Sequence, residues 1–201
     1  SGCGSTEQIV DGSLNVGMDI ICINPNAGRT SLERRWSRDR FAQTAAMLRK
    51  EIPTALFCFT GAPAEHEYVE SIIARIGGGR DRIVNLAGTL PLKELIALFS
   101  EASILITNDS GPMHLAAVVA LPTVAIFGPE SPEFYGPVGN SSINLYASLP
   151  CSPCLNVYNA KKFICPIHQQ CLRSISVEEV VAAARILMEH KCPALLMEAF
   201  A

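Results

Sequence analysis

The segment 103-SILITNDSGPMHLAAVVALPTVAIFG-128 is the most informative part of this sequence about the fold class. Its two flanks, SILITN and PTVAIFG, are continuous apolar runs, which are typical of parallel strands covered on both faces. The segment GPMHLAAVVA between them carries a proline in its first turn and predicts a helix. The stretch therefore predicts a strand–helix–strand unit of a parallel sheet.

The same alternation runs through the rest of the chain. Further buried strands are predicted at residues 19–25, 54–60, 82–88 and 141–147. Helices are predicted at residues 37–52, within 61–79, and at 91–102 and 176–190. Two of the strand runs contain Cys22 and Cys58, which we interpret as small core residues. The predicted fold class is α/β, a Rossmann-like doubly wound parallel sheet, in which ligands bind beyond the carboxyl ends of the strands.

Length and composition favour one globular domain. The 201 residues suffice for a single sizeable core, and 49% of them are hydrophobic against 17% charged. A formal net charge of −3 without a long basic run excludes a general nucleic-acid-binding protein. No apolar run reaches the ~18 residues of a membrane span, and residues 1–18 lack the pattern of a signal peptide. We expect residues 1–18 to be a linker or an artificial lead-in and residues 19–201 to form one cytoplasmic domain.

The start of the helix GPMHLAAVVA combines several features of an anion site. Asp109 or Ser110 can cap the helix, Gly111 permits close approach of a ligand, and Pro112 suits the first turn. The helix dipole favours an anion there by ~0.3–1 kcal/mol. Because Asp109 would repel a phosphate, we predict that it fixes the loop as a cap. A capped helix that binds nothing is the alternative, and a lone His114 is more often a packing or capping residue.

The loops after three other predicted strands carry further candidates. The first holds Arg29, Arg34 and Arg35, whose guanidinium groups suit phosphate oxygens, although such arginines are usually solvated. The second begins a helix with Glu65, an acid either favoured by the helix dipole or placed to accept ribose hydroxyls. Leu90 follows the third strand, where it could flank a base. Together with the helix start, these loops favour a nucleotide diphosphate pocket.

The usual nucleotide fingerprints are absent from the sequence. No G-x-G-x-x-G follows the first strand, and neither a P-loop nor an Asp-x-Asp pair occurs. We therefore expect a nucleotide to be held without a divalent ion and expect no catalytic metal.

A cysteine-rich stretch occupies residues 151–171. Cys151 and Cys154 form a C-x2-C pair, Cys165 and Cys171 follow, and four thiolates suit tetrahedral zinc. The second spacing is looser than in a zinc ribbon. A structural zinc site, disulfides and free thiols therefore all remain open.

The sequence of residues 105–139, LITNDSGPMHLAAVVALPTVAIFGPESPEFYGPVG, resembles the signature region of glycosyltransferase family nine, the ADP-heptose:lipopolysaccharide heptosyltransferase family. The stretch INPNAGRTSLERRWSRDRFAQTAAML resembles the opening block of that family, and CFTGAPAEHE and IVNLAGTLPLKELIALFSEA resemble its middle blocks. The resemblance implies a GT-B architecture of two Rossmann-like domains, of which this chain would be the C-terminal, donor-binding one.

The resemblance also implies roles for individual residues. It implies a donor-diphosphate loop with its following helix turn, made of Asp109, Ser110, Gly111, Pro112, Met113 and His114. Arg34 matches a position that contacts donor phosphate, and Glu65 matches an acid that holds the adenosine ribose. The family often has lysine where this chain has Arg34, so the charge is kept while the geometry differs.

The implied function is inverting transfer of a sugar from ADP-heptose to the lipopolysaccharide inner core. Such a transfer needs a general base, a charged site for the leaving diphosphate and two substrates held in line. The resemblance places the base, an aspartate, in the N-terminal half, so we expect no catalytic residue here and no activity without that acceptor-binding half. The implied location is the cytoplasm, with peripheral contact to the inner face of the bacterial inner membrane as an option.

Three alternatives to this function stay open. The chain could belong to a family-nine transferase for another nucleotide-sugar, it could be a non-catalytic nucleotide-binding module, or it could be a small thiol or metal protein centred on its cysteines.

Overall fold

A computed structural model describes residues 18–28, 32–139, 141–156, 158–159 and 163–189. Its sheet consists of β1 (Ile20–Asn24), β2 (Leu56–Phe59), β3 (Ile83–Asn85), β4 (Ile104–Asn108), β5 (Thr123–Phe127) and β6 (Ser142–Tyr146). The strands lie in the order β3-β2-β1-β4-β5-β6, and every neighbouring pair is parallel. This order is that of a doubly wound Rossmann sheet, so the predicted fold class is confirmed.

The predicted helices are present as α1 (Arg38–Glu51), α2 (His66–Ile76), α3 (Leu92–Glu101), α4 (Gly111–Val118) and α7 (Val177–Glu189). Two short helices that were not predicted, α5 (Pro132–Tyr135) and α6 (Gln170–Ser174), lie between α4 and α7. Two short 3-10 turns, Leu32–Arg34 and Pro63–Glu65, stand in the loops after β1 and β2. Among the helices that the structure describes, none is long and apolar enough to cross a lipid bilayer.

Both faces of the sheet are covered, which explains the continuous apolar runs of the strands. Ile21 and Ile23 of β1 face a core that includes residues of α1, α2 and α7. Ile20 and Cys22, which alternate with them, face a second core that includes residues of α3 and α4. Cys22 pairs in register with Cys58 of β2, and both side chains are fully buried, so their interpretation as core residues is confirmed.

Local capping signals place two of the helix starts. Ser37 caps α1 by accepting a hydrogen bond from the Arg40 backbone nitrogen at 3.3 Å. Before α7, the Ser176 nitrogen donates to Glu179 Oε2 at 2.7 Å, and the Glu179 nitrogen donates to Ser176 Oγ at 3.2 Å. These reciprocal bonds form a capping box, which fixes where the last described helix begins.

Apart from Met18, the predicted lead-in at residues 1–18 lies outside the described part of the chain, as does Arg29. Both therefore remain sequence-based expectations.

Candidate functional site

A cavity of about 430 Å³ opens at the carboxyl edge of the sheet. It lies where the chain leaves the adjacent strands β1 and β4 in opposite directions, which is the usual ligand position in doubly wound sheets. Its wall includes Glu65, Leu90, Ser110, Gly111 and Pro112, all of which were predicted site residues. The fold therefore brings together side chains from the loops after β2, β3 and β4.

Asn108, the last residue of β4, fastens the loop after β1 to the sheet. Its Oδ1 atom accepts a hydrogen bond from the Trp36 backbone nitrogen at 3.0 Å. Its Nδ2 atom donates to the carbonyl oxygens of Pro25 at 2.9 Å and Asn26 at 3.3 Å. Asn108 is fully buried, and sequence reasoning did not single it out because its partners are distant in the chain.

Two further asparagines bind the ends of β1 and β2 together. Asn24 Nδ2 donates to the Thr60 carbonyl at 3.2 Å, and Asn26 Nδ2 donates to the same oxygen at 3.1 Å. Gly61 lets these groups approach, because an added Cβ would lie 2.6 Å from Asn26 Nδ2. The buried Asn26 Oδ1 atom has no hydrogen-bond partner among the described residues, although Asn26 itself lines the cavity.

The start of α4 is open to the cavity, but the predicted side-chain caps are wrong. Ser110 occupies the N-cap position without capping the helix through its side chain. Its Oγ atom lies 3.1 Å from Thr107 Oγ1 and donates to the Asn108 carbonyl at 3.2 Å instead. The N–H of Gly111, the first helical residue, has no acceptor within the helix, and a Cβ added there would meet nothing within 4 Å. A backbone donor and free space therefore coincide.

Met113 and His114 do not line the cavity. The Met113 side chain is fully buried and packs with Ala125 and Phe127 of β5. Its backbone nitrogen donates to the Ser110 carbonyl at 3.2 Å. His114 is exposed on α4. The side chain of Met113 is thus a core group.

The predicted phosphate residue Arg34 sits among carboxylates. Its Nη1 atom lies 3.5 Å from Asp109 Oδ2 and 4.0 Å from Glu130 Oε2, and its Nη2 atom donates to the Ala27 carbonyl at 3.1 Å. Asp109 therefore contacts Arg34 rather than capping α4 as predicted. Burial raises the pKa of Asp109, while Arg34 lowers it. Burial, followed by the charge of Asp109, raises the pKa of Glu130 to about 7.

Glu130 belongs to the loop after β5, and sequence reasoning overlooked it. Its side chain is only 9% exposed. An acid in a stretch as apolar as VAIFGPESP is the one sequence signal that could have indicated it.

Glu65 is held in place on two sides. Its Oε2 atom accepts a hydrogen bond from the Ala62 nitrogen at 2.8 Å, and its Oε1 atom lies 3.5 Å from Arg35 Nη2. The Arg35 guanidinium also stacks 4.2 Å above the Tyr68 ring. Arg35 therefore orients Glu65 at the cavity wall.

The cysteine-rich stretch contains free thiols. Cys151 is exposed, Cys154 and Cys165 are half-buried, and Cys171 is buried. Within the described ranges, no three His, Cys, Asp or Glu side chains form a group that could hold a metal ion, so the structure does not support the zinc option. Burial, followed by the neighbouring Cys171, Cys165 and Cys151, raises the pKa of Cys154 to about 11, which disfavours its thiolate form at neutral pH.

Comparison with known proteins gives a consistent result. The model of glycosyltransferase family 9 (heptosyltransferase) matches residues 5–164. Lipooligosaccharide heptosyltransferase 2 of Campylobacter jejuni is 31% identical over 179 residues, which cover 88% of this chain and 53% of that protein.

Two solved structures share the fold. The structure of Escherichia coli ADP-heptose lipopolysaccharide heptosyltransferase II superimposes with a TM-score of 0.73 and 24% identity, over 94% of this chain and 53% of that one. A family 9 glycosyl transferase from Veillonella parvula gives a TM-score of 0.68 and 29% identity, over 88% and 48% of the two chains.

The chain thus spans about half the length of these relatives. Its sheet is one Rossmann-like unit of the GT-B type found in the heptosyltransferase structures. Because the family model matches most of the chain, this protein belongs to glycosyltransferase family 9, the heptosyltransferase family.

Proposed function

We propose that residues 19–201 are the donor-binding domain of an enzyme that transfers heptose from ADP-heptose to the lipopolysaccharide inner core with inversion. Family membership supports the reaction class. The names of two relatives, a lipooligosaccharide heptosyltransferase and an ADP-heptose heptosyltransferase, support the substrates. The half-length match supports a chain that needs a second, acceptor-binding domain for activity.

The cavity at the carboxyl edge of the sheet is the observation that carries the proposal. On one side it has the open start of α4 at Ser110 and Gly111, which suits the donor diphosphate. On another side it has the carboxylate of Glu65, which suits the ribose hydroxyls. Leu90 and Leu95 form an apolar wall of the cavity. The base can lie between this wall and the ends of the β-strands.

In the proposed reaction the chain stabilises the leaving diphosphate. Negative charge grows on that group as the bond to the sugar breaks. The backbone donor of Gly111 meets this charge from the cavity wall, and one well-placed donor contributes ~3–4 kcal/mol to such a transition state. Arg34 does not line the cavity in this structure, and its guanidinium reaches the charge by leaving Asp109. The general base that takes the acceptor proton comes from the acceptor-binding domain, so the groups of this chain act without a base of their own.

Calorimetric titration of the chain with ADP, and with UDP as the matched control, tests the donor assignment. We expect ADP to bind at least tenfold more tightly than UDP. Arg34→Met should weaken ADP binding roughly 10- to 100-fold, as expected for one hydrogen bond to a charged group. The matched control is Arg173→Met, which removes an exposed guanidinium from α6 and should leave binding unchanged.

Equal binding of both nucleotides would overturn the ADP-sugar assignment and favour another nucleotide-sugar. The domain assignment is tested separately with ADP-heptose and a lipopolysaccharide core acceptor. Heptose transfer by the isolated chain would contradict its proposed dependence on an acceptor domain.

The proposal also includes a cytoplasmic location, with peripheral contact to the inner membrane, which cell fractionation tests.

A further inference from the structure

Two buried carboxyl groups and a half-buried guanidinium meet beside the start of α4. Arg34 Nη1 lies 3.5 Å from Asp109 Oδ2 and 4.0 Å from Glu130 Oε2, and the two carboxyl side chains are 5% and 9% exposed. Asp109 Oδ2 makes no hydrogen bond in the part of the chain that the structure describes. One guanidinium therefore serves two buried carboxyl groups.

This arrangement is unbalanced by one negative charge. Glu130 faces Asp109 and Arg34, and Asp109 faces these two groups and, at longer range, His114. Two buried carboxylates that share one cation resist ionising together, so the pair tends to retain a proton. Burial and the neighbouring Asp109 charge raise the pKa of Glu130 to about 7, which agrees with this geometry.

A diphosphate at the start of α4 adds more negative charge to the same place. Ser110 and Gly111 line the cavity and directly follow Asp109 in the chain. If Arg34 turned to the phosphate while both carboxyl groups stayed ionised, two buried charges would lose their partner, which is strongly unfavourable. Uptake of one proton lowers that cost, because a single carboxylate charge remains and the protonated carboxyl group can donate a hydrogen bond to it.

We propose that Asp109 and Glu130 together bind Arg34 until the pair of carboxyl groups takes up one proton from solvent, and that the guanidinium then moves to the donor diphosphate. We call this arrangement the proton-linked hold. The inference rests on the proposed function of the cavity. No covalent bond forms or breaks in this step: Arg34 exchanges a carboxylate oxygen for a phosphate oxygen, and the proton moves from water to the pair. Glu130 acts through Arg34 and is a positioning residue.

Proton uptake on ligand binding is the measurement that tests this hold. The probe is ADP-ribose, because its diphosphate is esterified at both ends and has no group that titrates near neutral pH, whereas the terminal phosphate of ADP titrates near pH 6 and would mask the signal. Calorimetric titrations at pH 7.5 in PIPES and in Tris, which differ in ionisation enthalpy, give the number of protons bound. We expect roughly 0.5–1 proton per ADP-ribose, and a dissociation constant that rises up to about tenfold per pH unit above 7.

Two variants separate the proton-linked role from a structural one. Glu130→Gln should bring proton uptake close to zero and flatten the pH dependence of binding. Glu133→Gln, which neutralises an exposed acid three residues later, should keep the uptake of the native chain. A merely structural role of Glu130 would shift the dissociation constant equally at every pH and leave the proton count unchanged.

The possible failures are distinguishable. Binding of ADP-ribose without proton uptake, or with undiminished uptake in Glu130→Gln, would overturn this inference and leave the donor site intact. Absence of ADP-ribose binding would contradict both the donor site and the proton-linked hold.

Discussion

Asn108 Oδ1 lies 3.0 Å from the backbone nitrogen of Trp36, and this bond ties the end of β4 to the loop after β1. The two residues are 72 positions apart in the chain. The same side chain holds the carbonyls of Pro25 and Asn26, so one buried amide sets the distance between the two central loops of the cavity.

Replacement of Asn108 by alanine should therefore loosen the site as well as the fold. The change leaves buried backbone groups of Trp36 and Pro25 without partners, and each such group costs about 1–3 kcal/mol. We expect urea denaturation to show a loss of about 2–4 kcal/mol in the free energy of unfolding for these backbone groups together. We expect calorimetry to show weaker ADP binding. Asn144→Ala, which removes an exposed amide from β6, serves as the control, and an equal loss there would contradict the role of Asn108.

Two glycines of the cavity should respond to alanine in opposite ways. Gly88 has φ +80°, and an added Cβ would lie 2.6 Å from Pro63 Cα, so Gly88→Ala should destabilise the fold by more than about 1 kcal/mol. At Gly111 an added Cβ meets nothing, and alanine favours a helix, so Gly111→Ala should leave the melting temperature unchanged or raise it.

Gly111→Ala should nevertheless weaken ADP binding, because the new methyl group occupies space that the diphosphate uses. Thermal melts combined with calorimetry check both variants. Unchanged ADP affinity in a stable Gly111→Ala chain would show that the ligand does not approach α4 there.

The stability of the protein should depend on Glu130 between pH 4.5 and 7. The pKa of Glu130 is raised to about 7 in the folded protein, so the folded state keeps a proton that the unfolded state has released. The resulting stabilisation is present below the ordinary pKa of the acid and is lost as pH rises through about 7. We expect a loss of about 1–3 kcal/mol in the free energy of unfolding between pH 5 and pH 8 that Glu130→Gln does not show.

Urea titrations of the native chain and Glu130→Gln at both pH values measure this difference. The hydrogen-bonded Arg185 lowers the pKa of Glu51, so that carboxyl group works in the opposite direction. Its contribution cancels in the comparison, since both chains contain it. Identical pH dependence of the two chains would refute the prediction.

Glu65 should make ADP binding sensitive to the ribose hydroxyls. We expect the native chain to bind ADP about tenfold more tightly than 2′,3′-dideoxy-ADP, as a charged hydrogen bond is worth ~1.5–3 kcal/mol. In Glu65→Gln this preference should shrink severalfold, while binding of the dideoxy nucleotide changes little. Glu67→Gln, at an exposed position in the first turn of α2, is the matched control. A preference that survives intact in Glu65→Gln would place the ribose elsewhere.

Much of the cavity wall followed from the sequence, because its parts are local. Continuous apolar runs predicted strands, strand ends predicted a ligand edge, and Glu65, Leu90 and Gly111 do lie in the cavity wall. The capping role of Asp109 was predicted wrongly, because a local rule ignored the guanidinium that approaches from another loop. Glu130 and Asn108 were overlooked for the same reason, since their partners come from other strands.

The parallel α/β class and the helix start at Gly111 could be predicted from the amino-acid sequence, because continuous apolar runs and a first-turn proline are features of short stretches. The contacts of Arg34 with Asp109 and Glu130, and of Asn108 with Trp36, became visible only in the folded chain. Those contacts depend on the order β3-β2-β1-β4-β5-β6, which brings loops far apart in the chain to one edge of the sheet. The spacing of residues along the chain does not indicate that strand order. The charges that surround Arg34 could therefore be identified only from the folded structure.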